Sequence, residues 1–210
     1  IYLPLSFANR NSRVTIYGGT HVPWSPCFHY LAWHWLPFLL KIGIDLNITM
    51  ERAGYYPKGG GKIIAQIFPL KNLSPINLLQ RGKVKEIRGI SAVSNLPRKI
   101  AERKRDQVVR RLWIRYPLND IRIKDLPSNN KGTVLLLMIE CEHARACFFG
   151  LGKIGKPAEN VADEAIDSTL NYLESDGAID PFLADQLLLP LAIIESSSKF
   201  STSKVTNHLL

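Results

Sequence analysis

Long apolar runs and cysteines are both scarce in this sequence. The two longest apolar runs, residues 30–40 and 183–194, are too short to cross a bilayer, and each contains a proline. No signal peptide is visible, and we predict no membrane partner. Three cysteines form an odd set with no CxxC motif, which is typical of a reducing compartment: Cys27, Cys141 and Cys147. We therefore expect a cytoplasmic protein, or a nuclear one if the source is eukaryotic.

The composition is that of an ordinary folded protein. The 210 residues include 46% hydrophobic and 21% charged side chains, a balance that excludes a disordered chain. This length allows one or two domains with a buried core. Because the sequence begins at Ile1 rather than at a methionine, we expect it to be an internal fragment of a longer protein.

Acidic residues are scarce in one region of the chain. Residues 81–115 hold twelve lysines and arginines against three acids, and this surplus of nine equals the net charge of +9 for the whole chain. Clustered cations favour a polyanionic partner, because the counterions they displace from phosphates stabilise binding. A solvated helix face that is merely basic explains the pattern equally well, so the charge alone leaves both interpretations open.

Three consecutive glycines at positions 59–61 stand between two predicted strands. Residues 44–50 alternate apolar and polar side chains, and residues 63–67 form a second apolar run of strand length. Glycine permits positive φ and lets a backbone or a phosphate come close. A tight hairpin turn is favoured over a Walker-type phosphate loop, because Lys62 leads into a strand and not into a helix.

A helix is predicted between Ser25 and Gly43. Ser25 is suited to the N-cap, Pro26 to the first helical position, and Gly43 to the C-terminal end. Pro37 is expected to kink this helix. Three histidines in or near it are expected to be structural, because the two inside it lack the i, i+4 spacing of a metal pair: His21, His29 and His34.

The region after residue 83 has the pattern of a separate β-α-β-β-α unit. Cys141, His143 and Cys147 lie within it, and packing roles are favoured over metal binding because no fourth ligand is evident. The predicted elements are a strand at 85–93, a helix from Pro97 with an apolar stripe at Ile100, Val108, Val109 and Leu112, a polar loop at 117–131, strands at 133–139 and 145–149, and a helix beyond the glycine-rich loop 150–157.

The last predicted helix is apolar on nearly every face. Asp180 and Pro181 are suited to its N-cap and first turn. Only Asp185 and Gln186 interrupt the apolar run at 182–194, so we expect a buried helix. A carboxylate in such a helix costs on the order of several kcal/mol unless it is paired. Asp185 and Gln186 therefore either form structural hydrogen bonds with neighbouring backbone or face a ligand.

Four motifs resemble the RNA 3'-terminal phosphate cyclase family and occur in the same order as in that family. They are GGTHVPWSP at 18–26, RAGYYPKGGG at 52–61, GLGKIGKPAE at 150–159 and LADQLLLPLA at 183–192. His208, in a Thr-x-His-Leu-Leu context, is a fifth point of similarity. The resemblance implies an α/β (α+β) fold, in which a cyclase-type domain of repeated βα units receives a smaller inserted domain. We thus expect residues 1–83 and 176–210 to form the main domain and residues 84–175 the insertion.

The resemblance also implies an activity and roles for particular residues. The activity is the ATP-dependent conversion of an RNA 3'-terminal phosphate to a 2',3'-cyclic phosphate, with Mg²⁺ or Mn²⁺ accompanying ATP. His208 would be the nucleophile that accepts AMP, and Asp185 would orient it or the metal–nucleotide complex. Phe182 would stack on adenine, and no residue is predicted as a metal ligand. The full set of expected binding residues is Gln186, Phe182, Pro26 and Leu151 for the nucleotide, and Arg52, Lys58, Arg103 and Arg110 for RNA phosphates.

Two other functions remain open. A non-catalytic relative of the cyclases that binds RNA or assists ribosome assembly would have a similar fold, but it would lack the nucleophile at His208. A sugar-phosphate transferase of related architecture would not need the localised basic segment. The family's N-terminal portion, which carries further catalytic residues, lies outside this sequence. We therefore expect the fragment alone to be inactive, and the oligomeric state is not predicted.

Overall fold

The computed structural model describes residues 1–210 and confirms a mixed α/β fold. Its first sheet is antiparallel, with strands in the order β1-β3-β2. The alternating pattern predicted for residues 44–50 appears as β2, which forms a hairpin with β3, as expected. The connection is residues 53–60 and is longer than the tight turn that was expected; it contains Gly59 and Gly60, whereas Gly61 begins β3. The elements are helix α1 (Tyr2–Ser6), β1 (Ser12–Gly18), β2 (Leu46–Arg52) and β3 (Gly61–Ile67).

The helix between β1 and β2 begins later than predicted. Cys27 is its N-cap and no side chain caps it, so Ser25 and Pro26 lie before the helix and not within it. It consists of α2 (Phe28–Tyr30), a π-helical segment (Leu31–Trp35) and α3 (Leu36–Lys41). Pro37 lies in the first turn of α3, so the expected irregularity takes the form of the π-helical segment before it.

Gly43 ends this helix, as predicted. Its φ is +95°, and a Cβ at this position would lie 1.9 Å from the carbonyl oxygen of Asn72. Only glycine satisfies both the backbone conformation and the close approach.

The second sheet lies within residues 84–175 and has the strand order β6-β5-β7-β8. Strands β5 and β6 are parallel, and the other pairs are antiparallel. The elements are β5 (Val84–Ser94), helix α4 (Arg98–Leu112), β6 (Leu118–Asp125), β7 (Gly132–Cys141), β8 (Arg145–Leu151) and helix α5 (Ala158–Glu174).

Strand β6 corrects the expected loop at 117–131, and the unit is therefore β-α-β-β-β-α rather than β-α-β-β-α. It is an edge strand in which only Ile121 is fully buried, so it lacks the apolar alternation that identified its neighbours. The remaining residues, 126–131, do form a connecting loop.

Both faces of the second sheet are covered. Leu135 and Leu137 on one face of β7 pack with α4 and α5, whereas Val134 and Leu136 on the other face join a core built mainly from residues 3–78 and 178–191. This arrangement explains the continuous apolar run of β7, because a strand buried on both sides has no polar face. We term residues 1–83 and 176–210 the first unit and residues 84–175 the second unit.

The buried stripe of α4 differs in part from the prediction. Val108 and Leu112 are buried, but Val109 is 41% exposed and Ile100 is half-buried. Ala101 and Lys104 complete the buried face instead. The apolar residues of the helix therefore predicted its buried face only in part, because a lysine occupies a core position.

Lys104 is fully buried without a carboxylate partner. Its Nζ donates to the carbonyl oxygens of Ala92, at 2.9 Å, and Val134, at 2.7 Å, and to the hydroxyl of Thr133. Burial lowers the pKa of Lys104 to about 7. Three acceptors match the three hydrogens of an ammonium group, so the contacts favour the charged form that burial disfavours.

In addition to the shared core, hydrogen bonds join the two units at both ends of the second sheet. Where the chain enters and leaves the second unit, the Arg81 guanidinium donates to the carbonyl oxygens of Tyr172, Leu173 and Gly177 at 2.7–3.0 Å. At the other end of β5, the Ala53 amide donates to the Pro127 carbonyl at 2.7 Å. The second unit is thus held to the first at both ends of its sheet.

The chain ends on the first unit. Helix α6 (Pro181–Ala192) is followed by β9 (Lys199–Phe200), which pairs in parallel with β4 (Asn77–Leu78). Buried residues of α6 pack in the same core as those of α3 and β3. No helix in the molecule combines the length and apolar character needed to cross a membrane.

Candidate active site

A buried carboxylate fixes the start of α6. Asp180 is fully buried and caps the helix, as predicted: its Oδ1 accepts from the amides of Phe182, at 3.1 Å, and Leu183, at 3.0 Å. The Tyr30 hydroxyl donates to the same oxygen at 2.9 Å, and His34 Nε2 donates to Oδ2. The π-helical segment carries His34, so its geometry and the first turn of α6 are tied together.

This network leaves Asp180 saturated with four donors. Burial, with a contribution from Asp180, raises the pKa of Tyr30 well above its ordinary value, so Tyr30 stays protonated and keeps donating. Because only a protonated nitrogen can donate to a carboxylate, Nε2 of His34 carries a hydrogen, and its buried Nδ1 has no partner. Asp180 therefore anchors the start of α6, and its carboxylate has no remaining hydrogen-bonding capacity for a ligand.

The prediction that α6 is buried on every side is wrong. Leu183 and Leu187 are buried, but Phe182 is 50% and Leu189 63% exposed. Asp185 lies on the partly exposed side and is half-buried. The expected cost of a fully buried carboxylate therefore does not apply to it, and Asp185 is accessible to a ligand.

A turn near the end of the chain lies against Asp185. The Thr206 hydroxyl donates to Asp185 Oδ1 and also accepts from the His208 amide at 3.3 Å. Leu209 packs against the core of the first unit, and its amide donates to the Thr206 carbonyl at 3.1 Å. The exposed His208 is thereby held two residues from the Asp185 contact, although no hydrogen bond joins the two side chains.

Thr206 is the residue that the sequence reasoning missed. The sequence predicted no role for Thr206, which begins the Thr-x-His-Leu-Leu motif, but its hydroxyl bridges Asp185 and the backbone of His208. A threonine two residues before a candidate nucleophile could have indicated this role, because short hydroxyl side chains commonly bond to nearby backbone amides.

The residues expected to hold a nucleotide lie on neighbouring elements. Gln186 is half-buried next to Asp185, and its side-chain amide has no hydrogen-bond partner within the molecule. Pro26 is half-buried just before α2. Leu151 ends β8 and packs against the core, two residues after Phe149, whose ring lies 6.2 Å from that of Tyr30. The four expected nucleotide-binding residues thus lie on three elements: α6, β8 and the segment before α2.

The accessible groups in the first two turns of α6 are of kinds that can contact a nucleoside triphosphate. An accessible aromatic ring can stack on a base, an unpaired amide can hydrogen-bond to it, and a carboxylate lies beside them. No group of three or more histidine, cysteine, aspartate or glutamate side chains is arranged for a metal ion. Because Asp185 is the single carboxylate at this face, a divalent ion would be held mainly by phosphate oxygens, as is usual for Mg²⁺.

The histidines at the start of α2 are hydrogen-bonded in the interior. His21 Nδ1 lies within hydrogen-bond distance of the Thr20 hydroxyl, at 2.8 Å, and His21 Nε2 lies 3.0 Å from His29 Nδ1. Burial lowers the pKa of His21 to about 3, with a smaller effect of His29, and lowers the pKa of His29 to about 4. Both are therefore neutral at physiological pH and have the structural role that was expected.

The basic segment at 81–115 is largely engaged within the molecule. Arg103 forms a bidentate pair with Glu159 at 2.6 and 2.8 Å, and Arg111 bonds to Asp163 and Asp167. The hydrogen bond to Glu159 raises the pKa of Arg103, because the carboxylate favours the charged guanidinium. Five of the twelve cations are exposed and have no carboxylate partner: Lys83, Lys85, Lys99, Arg110 and Arg115.

A polar cleft opens where the two units meet, and Arg52 lies in its wall. We term it the seam cleft; its volume is about 840 Å³, and it is lined by residues 51–52, 62, 94–97 and 125–129. Arg52 Nε donates to the Gly60 carbonyl at 2.7 Å. Lys58 is exposed in the connection between β2 and β3 and has no carboxylate partner. Two of the four expected RNA-binding residues are thus at the junction, and Arg103 and Arg110 are on α4.

The sequence has clear relatives. A family model described as RNA 3'-terminal phosphate cyclase matches residues 1–210. The RNA 3'-terminal phosphate cyclase of Gloeothece citriformis is 34% identical over 212 residues, which are 100% of this chain and 60% of that relative. Proteins of the same name from Ectopseudomonas mendocina and Koribacter versatilis are 39% and 35% identical over 98% and 97% of this chain, and over 59% and 57% of their own lengths. The chain thus spans about 60% of the length of the curated relatives it matches.

Proposed function

The chain belongs to the RNA 3'-terminal phosphate cyclase family, and on this premise we propose that the whole protein uses ATP to convert an RNA 3'-terminal phosphate to a 2',3'-cyclic phosphate. The observation that carries the proposal is the bond from Thr206 to Asp185, which holds the exposed His208 beside the accessible face of α6. Transfer of AMP to His208 would need a nucleotide held nearby, and Phe182, Asp185 and Gln186 are groups of α6 that can contact one.

The proposed reaction has three steps. An imidazole nitrogen of His208 attacks the α-phosphate of ATP, and the bond to the β-phosphate breaks to release pyrophosphate. The AMP then passes from nitrogen to an oxygen of the RNA 3'-phosphate, which frees His208. The neighbouring 2'-hydroxyl attacks that phosphate, gives up its proton and expels AMP, which leaves the cyclic phosphate. Covalent catalysis divides a difficult displacement into easier ones, and a neutral imidazole is a competent nucleophile at physiological pH.

The residues of this chain have distinct roles in the proposal. Asp185 orients His208 through Thr206, because its carboxylate fixes the hydroxyl that accepts from the His208 amide. Phe182 stacks on the adenine, and Gln186 hydrogen-bonds to the nucleotide beside it. A divalent ion, Mg²⁺ or Mn²⁺, supplies charge neutralisation on the ATP phosphates when bound. The buried Asp180 network keeps the first turn of α6 in place.

Labelling with ATP tests the proposal. The full-length protein is incubated with ATP labelled at the α-phosphate, and we expect an acid-labile, alkali-stable adduct that His208→Ala abolishes. His143→Ala is the matched control, since His143 is also exposed but lies in the turn between β7 and β8. Unlabelled protein that still binds RNA would contradict the proposal and favour a non-catalytic RNA-binding relative of the cyclases.

A further inference from the structure

Free cations gather around the seam cleft rather than along α4. The residues that line the cleft hold two cations, Arg52 and Lys62, and two acids, Glu51 and Asp125. We term these lining residues together with their neighbours in the sequence the cleft rim, residues 51–62, 94–99 and 124–131. Together they hold seven lysines and arginines against two acids, Glu51 and Asp125. Lys62 pairs with Glu51, and Arg98 pairs with Glu102. The other five have no carboxylate within 4.0 Å: Arg52, Lys58, Lys99, Lys124 and Lys131.

The outer face of α4 offers less free charge. Arg103, Arg105 and Arg111 are each paired with an acid, which leaves Arg110 as the cation without a partner between residues 103 and 111 apart from the buried Lys104. A phosphate binding there would have to compete with carboxylates already in place. At the cleft rim, by contrast, Lys58, Lys99 and Lys131 are exposed and have no carboxylate partner with which a phosphate would compete.

The walls of the cleft are fixed before any ligand arrives. Asn95 adopts a φ of +50°, and its Nδ2 donates to the carbonyl oxygens of Ser128, at 2.7 Å, and Asn130, at 3.1 Å. The Asn130 side chain in turn donates to the Gly59 carbonyl at 3.2 Å. The three segments are therefore joined to one another by hydrogen bonds. Because they are already ordered, a ligand would bind without the entropic cost of ordering them.

Two side chains match the chemistry of a single strand. The bond from Arg52 Nε to Gly60 orients the guanidinium and leaves both of its terminal amino groups without a protein acceptor, a geometry suited to a phosphate. Tyr56 belongs to the same connection and is 74% exposed. A basic groove beside an exposed aromatic ring is the usual arrangement for sequence-independent binding of single strands.

We propose that the seam cleft binds the sugar–phosphate backbone of the single-stranded RNA on the 5' side of its reacting end. The inference rests on the proposed function, since it assumes that the 3' end reaches His208 while the upstream strand lies elsewhere on the molecule. It assigns phosphate binding to Arg52, Lys58, Lys99 and Lys131 at the junction of the two units, and it assigns Arg103 a structural role in the pair with Glu159.

A charge-matched comparison tests this assignment. The cleft variant is Lys58→Gln/Lys99→Gln/Lys131→Gln, and all three side chains are exposed and unpaired, so folding is preserved. The control is Lys83→Gln/Lys85→Gln/Arg115→Gln, which removes three exposed, unpaired cations at the opposite end of β5, about 30 Å away along the strand. Affinity for a 3'-phosphorylated single-stranded RNA of about 15 nucleotides is measured by fluorescence anisotropy over a range of salt concentrations.

We expect the cleft variant to bind at least about tenfold more weakly at low salt, and its salt-dependence slope to fall by about 2 because three phosphate contacts are lost. The control should stay within about threefold of the original protein. Arg52→Gln, as a separate variant, should weaken binding as well. Equal weakening by the cleft and control variants, or a larger effect of the control, overturns the assignment. If the labelling experiment finds no adduct but this difference in RNA affinity persists, the cleft assignment stands and the proposed reaction fails.

Discussion

The two carboxylates of α6 lie five residues apart in opposite environments. Asp180 is fully buried, and its oxygens accept from four donors. Asp185 is half-buried and accepts from one side chain, the Thr206 hydroxyl. The first has no remaining capacity for a ligand, whereas the second keeps an oxygen free. A carboxylate near a candidate site is thus informative only once its donors are counted.

The same distinction separates the two basic regions. The guanidinium groups on the outer face of α4 are mostly matched by acids of α4 and α5, whereas the cations around the seam cleft are mostly free. The count of charges along the sequence therefore identified the basic segment, but it could not show which cations lack an acidic partner in the folded protein and remain available to a ligand.

Removing the buried carboxylate should give the largest effect. Asp180→Ala leaves the Tyr30 hydroxyl, His34 and two helix amides without an acceptor, and we expect a loss of about 3–5 kcal/mol in the free energy of unfolding. Urea unfolding measures it. Asp176→Ala is the control, since Asp176 is exposed and has no ion pair, and it should change stability by less than about 0.5 kcal/mol. A loss at Asp180 no larger than that of the control would show that the network does not anchor α6.

The half-buried carboxylate should matter for transfer and little for stability. Asp185→Ala and Thr206→Val both remove the bond that holds the His208 turn, and we expect the rate of adduct formation to fall by about 10- to 100-fold in each. The free energy of unfolding should fall by less than about 1 kcal/mol, because one partly exposed hydrogen bond is lost. Thr206→Ser keeps the hydroxyl and should restore the rate. A double variant no slower than either single variant would show that the two residues act through the same contact.

Lys104 is the cationic counterpart of Asp180, because it is buried with three acceptors but no opposite charge. Its pKa in the folded state is lowered to about 7, below the ordinary value near 10.4 of an unfolded lysine. Between these values the unfolded chain binds more protons than the folded one, so stability should rise with pH across that window, by up to about 1.4 kcal/mol per pH unit.

Unfolding of the original protein and of Lys104→Met from pH 6 to pH 10 checks this expectation. The difference in stability between them should grow with pH in favour of the original protein. A difference that does not change with pH would mean that the three acceptors compensate fully for burial and keep the ammonium charged.

The smallest effect is expected at the paired arginine. Arg103→Gln breaks an exposed pair with Glu159, so the thermal midpoint should stay nearly unchanged. Its affinity for RNA should change by less than about twofold, in contrast to the cleft variant. Tighter or unchanged binding is consistent with a structural pair, and a loss as large as that of the cleft variant would mean that the pair opens to bind phosphate.

Local signals in the sequence predicted much of the frame. Asp180 before Pro181 gave the N-cap of α6, Gly43 gave the end of α3, and alternation gave β2. These features succeed because each depends on a few neighbouring residues. The strand β6 was missed because an edge strand with one buried side chain has no such pattern.

The remaining differences depend on contacts between distant residues. The position of Lys104 in the core depends on acceptors from β5 and β7, and the exposure of Leu189 depends on what packs beside α6. The bridge from Thr206 to Asp185 joins residues 21 apart. The family resemblance gave the residues of the candidate site, but the division between anchoring and available groups required the fold.

Locating the adduct is the most direct test of the account. The full-length protein is treated with ATP and cleaved, and the modified peptide is sequenced by mass spectrometry. The account predicts AMP on His208, in the peptide that follows Lys204, with the amount reduced by Asp185→Ala. AMP found on a lysine or on another histidine, with His208 unmodified, would contradict it.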